Sequence, residues 1–242
     1  MRSNKTCSGL KYAAGIGLWC FALTGSVQAA QTSMYMTGTF PNGFLGNDYV
    51  GPYEAIIGGA GPVPVICDDL ADDTWIGESW TANVINSANL SSSLNLTRFG
   101  SQANAVQTYE EAAWLGLQLL NAPAQCGAIN TACAGDYQYA IWALFDPTAF
   151  PIQTSGLGTT DQALASSILS SVTGNPTGHL YNNFTLYSYV PGTDSCPGPC
   201  ITGPQEFMVV HTPEPSQAAI LALDFSGLGA LLLVYRRFRK QA

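Results

Sequence analysis

Short apolar-rich runs, cut by Gly and Pro, open the central part of the chain. "MYMTGTF" (34–40), "YEAIIG" (53–58) and "VPVIC" (63–67) read as strands. The rhythm then changes. In "ANAVQTYEEAAWLGLQLLN" (103–121), Val106, Tyr109, Ala113, Trp114, Leu117 and Leu120 recur at helical spacing. "DYQYAIWALFD" (136–146) reads as a second helix, stopped by Pro147. "TTDQALASSILSSVTG" (159–174) reads as a third, with Thr160 or Asp161 as N-cap and Gly174 as stop. "FTLYSYV" (184–190) and "QEFMVVH" (205–211) return to strand and pair with each other or with the early sheet. Strands, then helices, then strands predict an α+β fold: a sheet or partial barrel with a small helical subdomain.

Two further apolar runs sit at the ends. Arg2, Lys5 and Lys11 come before "AAGIGLWCFALTG", and "SVQAAQ" puts Val27 and Ala29 at the small-residue positions of a cleavage site. Residues 1–29 therefore read as a secretory signal peptide. At the other end, residues 216–235 are about as long as a transmembrane helix. Asp224 interrupts this run, at a cost of roughly 2.5–3.5 kcal/mol if held near the bilayer centre. Arg236, Arg237, Arg239 and Lys240 follow and would stay on the cytoplasmic side.

Pro213-Glu214-Pro215, one hydrophobic helix and an Arg-rich tail make residues 213–242 resemble the PEP-CTERM sorting signal of Gram-negative bacteria. The resemblance implies an exosortase as partner, transient anchoring in the inner membrane and removal of the tail. It also implies a destination in the cell envelope or the exopolysaccharide matrix.

Residues 30–212 suit one extracytoplasmic domain. Of the eight Lys and Arg in the chain, only Arg98 falls in this span, against fourteen acids. Such a charge repels phosphate backbones and excludes nucleic acid as a partner. The apolar content, 47% over the chain, is too high for disorder.

Five cysteines remain after the signal peptide: Cys67, Cys126, Cys133, Cys196 and Cys200. In an oxidising compartment, "CGAINTAC" and "CPGPC" suggest local disulfides, Cys126 with Cys133 and Cys196 with Cys200, although spacing alone leaves other pairings open. On that pairing Cys67 is the odd one. It stands in "VPVICDDLADDTW" among Asp68, Asp69, Asp72 and Asp73, which disfavour a reactive thiolate. His179 and His211 lie in no catalytic motif. A protease is not indicated and no catalytic residue is assigned. "CDDLADD" lacks the Gly and distal Glu of a calcium loop and reads as a solvated acidic loop, so no metal site is expected. Glu110 and Glu111 are expected to face solvent, and Tyr53, Trp75, Trp80 and Tyr109 to be mostly core. There is no Gly-rich phosphate loop and no sign of a cofactor.

Three blocks then stand in order: "VICDDL" with Cys67, "YQYAIWALFD" with Gln138 and Trp142, and "PQEFMVV" with Gln205. Together they resemble the thioester domains of Gram-positive surface adhesins. That family has an early Cys behind an aromatic or aliphatic residue, a Gln-x-Ala-Ile-Trp block, and a late Gln followed by one polar and two apolar residues. The resemblance implies an internal thioester, with sulfur from Cys67 and the acyl group from Gln205. Gln138 and Trp142 would lie on a supporting helix, and Trp142, Phe145, Phe207 and Met208 would form an apolar cradle. It further implies a covalent adhesin, not an enzyme, whose targets are surface amines or hydroxyls. The alternative is an exopolysaccharide-binding or structural matrix protein without the bond.

Overall fold

A computed structural model describes residues 29–39, 43–46, 48–122, 131–148, 150–174, 178–198 and 202–212. The strands are β1 (Ala30–Thr39), β2 (Phe44–Leu45), β3 (Asp48–Tyr49), β4 (Tyr53–Ile57), β5 (Val63–Cys67), β6 (Ser79–Asn86), β7 (Phe184–Tyr189) and β8 (Phe207–Val210). Six of them close into a barrel in the order β1-β4-β5-β8-β7-β6, while β2 and β3 form a separate two-stranded sheet. All barrel pairings are antiparallel. Three long helices lie between β6 and β7: α1 (Ala105–Leu120), α2 (Thr131–Phe145) and α3 (Thr159–Thr173). The fold is α+β, as the element order predicts, and the barrel is closed, which removes the exposed edges of an open sheet.

The last two strands do both things expected of them. β7 and β8 pair with each other, and each also joins the early sheet, β7 on β6 and β8 on β5. The sequence pattern does not predict β6, nor the short β2 and β3. The buried β6 residues Trp80 and Ala82 face the barrel interior and Ile85 faces the helices, so the apolar positions change face partway along the strand. β1 also starts four residues earlier than its apolar pattern, because Ala30, Gln31, Thr32 and Ser33 are held by pairing with β6 and have little apolar character of their own.

Two cores follow from the two faces of the barrel wall. Met34, Met36, Ala55, Val65, Cys67, Trp80, Ala82 and Phe207, contributed by successive strands, fill the interior, and Tyr139 and Trp142 of α2 reach into this cluster. On the outer face of β5–β8, Ile66, Ile85, Leu186, Met208 and Val210 pack against Tyr109, Ala113, Leu115 and Leu119 of α1 and Ile141 and Phe145 of α2. Neighbouring residues of a strand thus serve opposite cores, as the period of two requires.

α2 begins at Thr131, ahead of the expected Asp136. Gly135 argues against helix by propensity. A Cβ at that position would come within 2.5 Å of Leu45 Cδ2, so its bareness lets β2 lie against the helix. α3 has Gly158 as its N-cap in place of Thr160 or Asp161, and Asp161 instead lies in the first turn, where a carboxylate favours the helix N-terminus.

Residues 1–28 and 213–242 fall outside the described residues. With them go the signal peptide, Pro213, Glu214, Pro215, the run 216–235, Arg236 and Arg237. Among the described residues no helix is long and apolar enough to cross a membrane.

Candidate functional site: a thiol and a carboxamide on one carbonyl

Cys67 is the last residue of β5 and faces the barrel interior with no solvent exposure. Its thiol donates to the Asp69 carbonyl at 2.9 Å. The same oxygen accepts from Gln205 Nε2 at 2.6 Å. Sulfur and amide nitrogen therefore lie no further apart than the sum of these two lengths. Both bonds follow from register. β5 and β8 pair Ile66 with Met208 and Cys67 with Phe207, and Asp68 N–H continues the ladder to the Glu206 carbonyl at 3.4 Å. Asp69 then stands opposite Gln205. Thr74 Oγ1 accepts from the Gln205 backbone N–H at 2.8 Å and pins the start of β8 to the loop after β5.

α2 braces the cysteine from the other side. Gln138 is fully buried, and its Nε2 donates to the Cys67 carbonyl at 2.6 Å. Four residues on, and so on the same helix face, the Trp142 indole N–H lies beside the Cys67 sulfur, an interaction that favours the thiolate. No oxygen or nitrogen accepts from that N–H. Burial nevertheless dominates and pushes the Cys67 thiol well above its usual range, with the Asp68 and Asp69 charges adding to the effect. Gln138 sits tightly. A Cβ on Gly51 would come within 2.5 Å of its Oε1.

The acidic run beside the cysteine is not the solvated loop its composition suggests. Asp68 and Asp69 are each 1% exposed. Asp69 faces Arg98, whose Nε lies 3.3 Å from its Oδ2, and Arg98 also reaches Asp72 at 3.0 Å. Burial raises the Asp69 carboxyl to about 6, Arg98 pulls it back, and Asp72 pushes it up. Asp68 points to the helix side of the wall, opposite Glu206, which is also buried. Glu206 accepts the Tyr109 O–H at 2.5 Å and the Arg98 backbone N–H at 2.9 Å, with the Ser188 hydroxyl beside it. Glu111 is buried too, against the expectation that it faces solvent, and accepts from Gln107 Nε2 at 2.8 Å. Of the four aromatics named from the sequence, Tyr53, Trp80 and Tyr109 are buried, while Trp75 is 44% exposed.

A pocket of about 390 Å³ opens on the Arg98 side. It is lined by Asp69, Asp72, Asn83, Asn95, Arg98 and Tyr189, among others, and by Pro204 and Glu206, the two neighbours of Gln205.

Cys67, Gln138, Trp142 and Gln205 thus share one buried locus. The apolar cradle is only half as expected. Trp142 and Phe207 share the cysteine's cluster, but Phe145 and Met208 face the opposite core, because each is an odd number of strand positions, or part of a helical turn, away. Among the described residues Cys67 is the free cysteine. Cys133 and Cys196 are not free thiols, and Cys126 and Cys200 lie outside the described residues. No group of residues suited to a metal ion occurs among the described residues. Asp68, Arg98, Tyr109 and Glu206 were not legible as parts of the site. The trace they left in sequence was Arg98's standing as the one Lys or Arg of residues 30–212.

No family model matches the chain, and neither does any curated protein. Solved structures do. The N-terminal domain of the Streptococcus pyogenes pilus tip adhesin Cpa is 14% identical with a TM-score of 0.44, over 78% of this chain and 97% of that one. The N-terminal thioester domain of the fibronectin-binding protein SfbI from Streptococcus pyogenes is 11% identical with a TM-score of 0.41, over 77% of this chain and 95% of that one.

Proposed function

We propose that Cys67 and Gln205 join in an internal thioester and that the protein is an exported surface protein that attaches covalently to its target. The observation that carries this reading is the convergence of the Cys67 thiol and the Gln205 carboxamide on the Asp69 carbonyl. The step balances. Sγ bonds to the Gln205 Cδ, the Cδ–Nε2 bond breaks, and the thiol proton leaves with the nitrogen as ammonia. The thioester keeps the acyl group reactive, and complete burial of Cys67 shields it from water. An amine or hydroxyl of the target then attacks Cδ, the sulfur recovers a proton as the thiol, and an amide or ester bond remains. The protein is consumed in the act, so it is not an enzyme.

On this reading a target group would approach through the pocket lined by Asp69, whose carbonyl gathers the two reacting groups, and by Pro204 and Glu206, the chain neighbours of Gln205. Its amide, carboxylate and guanidinium lining also favours a second reading, a polysaccharide bound without any covalent bond. Export, recognition by an exosortase and delivery to the envelope or exopolysaccharide matrix rest on the sequence of the two ends.

Intact-mass measurement of the purified 30–212 body tests the covalent reading. The expected product is lighter by one ammonia, gains methylamine on Gln205, and shows neither change in Cys67→Ala. Full mass with a titratable Cys67 thiol under native conditions overturns it in favour of the non-covalent binder.

A further inference from the structure

The rung beyond Cys67 places two carboxyls face to face. In the β5–β8 register Asp68 stands opposite Glu206, and the Asp68 N–H to Glu206 carbonyl bond ties their backbones. Both side chains are buried, at 1% and 2% exposure. Like charges directly opposite on a sheet destabilise it, and two buried carboxylates in contact cannot both ionise cheaply. The donors around them are unequal. Glu206 receives Tyr109 O–H, Arg98 N–H and the Ser188 hydroxyl, whereas the side chain beside the Asp68 carboxyl is Glu206 itself, and neither Asp68 oxygen has a further donor. That asymmetry puts the charge on Glu206 and the proton on Asp68. Burial, then Glu206, then Asp69 raise the Asp68 carboxyl well above its usual range.

We propose that Asp68 and Glu206 are positioning residues for thioester closure: a single proton held between them keeps the β5–β8 rung shut and so holds Cys67 against Gln205. The inference rests on the thioester reading. The pair lies on the opposite face of the wall from the reacting atoms, so it acts through the backbone. Cys67 and Asp69 flank Asp68, Gln205 and Phe207 flank Glu206, and the carbonyl that gathers the thiol and the carboxamide belongs to Asp69. Losing the shared proton leaves two buried charges on one rung and drives the strands apart at that point. The ionisable groups facing the pair are Tyr109 from α1 and Arg98 from the segment before it; Cys67 and Asp69, next to Asp68 in the chain, interact with it through their charges, and Asp72 bears on it through Arg98.

The test uses the bond's own chemistry. Excess ammonium reopens a thioester to thiol and glutamine, and after its removal the rate of ammonia loss is followed by intact mass across pH. Asp68→Asn keeps a donor for Glu206 but carries no charge. Thiol ionisation affects both proteins, and an Asp68 charge raises the Cys67 thiol in the wild type alone. Each rate is therefore divided by that protein's own thiolate fraction, followed by thiolate absorbance, before the ratio of the Asp68→Asn rate to the wild-type rate is taken. This ratio is expected to be flat at low pH and to rise roughly tenfold for each pH unit above the pair's pKa, as one proton is lost. Glu206→Gln removes the charge pair from the other strand and is expected to give the same rise, which keeps the test open if Asp68→Asn does not fold. A ratio independent of pH in the variants that fold overturns the latch while leaving the thioester intact. A wild type that loses no ammonia at any pH removes the thioester reading, and this inference with it.

Discussion

Cys67 and Gln205, far apart in the chain, donate to one oxygen, the backbone carbonyl of Asp69. A thiol and a carboxamide that share an acceptor are held close without a bond of their own. Their approach is set by main-chain register, not by side-chain reach, so it depends on whatever keeps β5 and β8 aligned.

Gln138 is the brace on the α2 side. Gln138→Ala leaves the buried Cys67 carbonyl without its 2.6 Å donor and opens space beside it. The expected loss is about 1–3 kcal/mol of stability, measured by denaturant unfolding. Gly51→Ala, which drives a Cβ toward Gln138 Oε1, is expected to weaken the same contact.

Tyr109→Phe keeps the ring in the core and removes the O–H that Glu206 accepts. Glu206 then sits higher, and its ionised form becomes more costly to bury. Stability is expected to fall by roughly 1–3 kcal/mol. The loss should be larger at alkaline than at acid pH, because only the carboxylate misses its donor. Unfolding of wild type and variant at both ends of the pH range checks the sign.

Asp136 on α2 is buried, with neither oxygen partnered. Burial and then the Asp161 charge raise its carboxyl to about 7. The folded protein therefore binds this proton more tightly than the unfolded chain. Stability falls as pH rises from the unfolded value of roughly 4 through about 7, and the cost stands in full above that. Asp136→Asn is expected to raise the melting temperature at pH above 7 and to leave it unchanged or slightly lower at pH near 4. An equal shift at both pH values would contradict the assignment.

Leu115 is fully buried in the core between α1 and the outer face of the barrel. Leu115→Ala is expected to cost about 2–5 kcal/mol. Because that core backs β5 and β8, the variant should also slow any ammonia loss at temperatures where it remains folded.

Much of the fold could be read from periodicity. The three helices and most of the strands fall where apolar spacing put them, since helical faces and strand faces leave local marks. β6 escaped because Trp80 and Ala82 serve one core and Ile85 the other, so neither face is apolar along its whole length. Glu111, Asp68 and Asp69 were misread for a common reason. A carboxyl in sequence looks like a surface group, and what permits its burial is a donor, a cation or a second carboxyl brought from elsewhere in the chain.

From the sequence and the resemblance its three blocks carry came the candidate pair Cys67 and Gln205 with Gln138 and Trp142 as supporting residues, the alternation of strands and helices, and an odd number of cysteines that leaves one sulfur over. Tertiary structure alone decided that β5 meets β8 in the register that sets Asp69 opposite Gln205 and Asp68 opposite Glu206. The reason is physical. Spacing within a segment records which face a residue occupies, but the partner of a strand is chosen by closing the barrel and filling both its cores, a condition that no short stretch of chain contains.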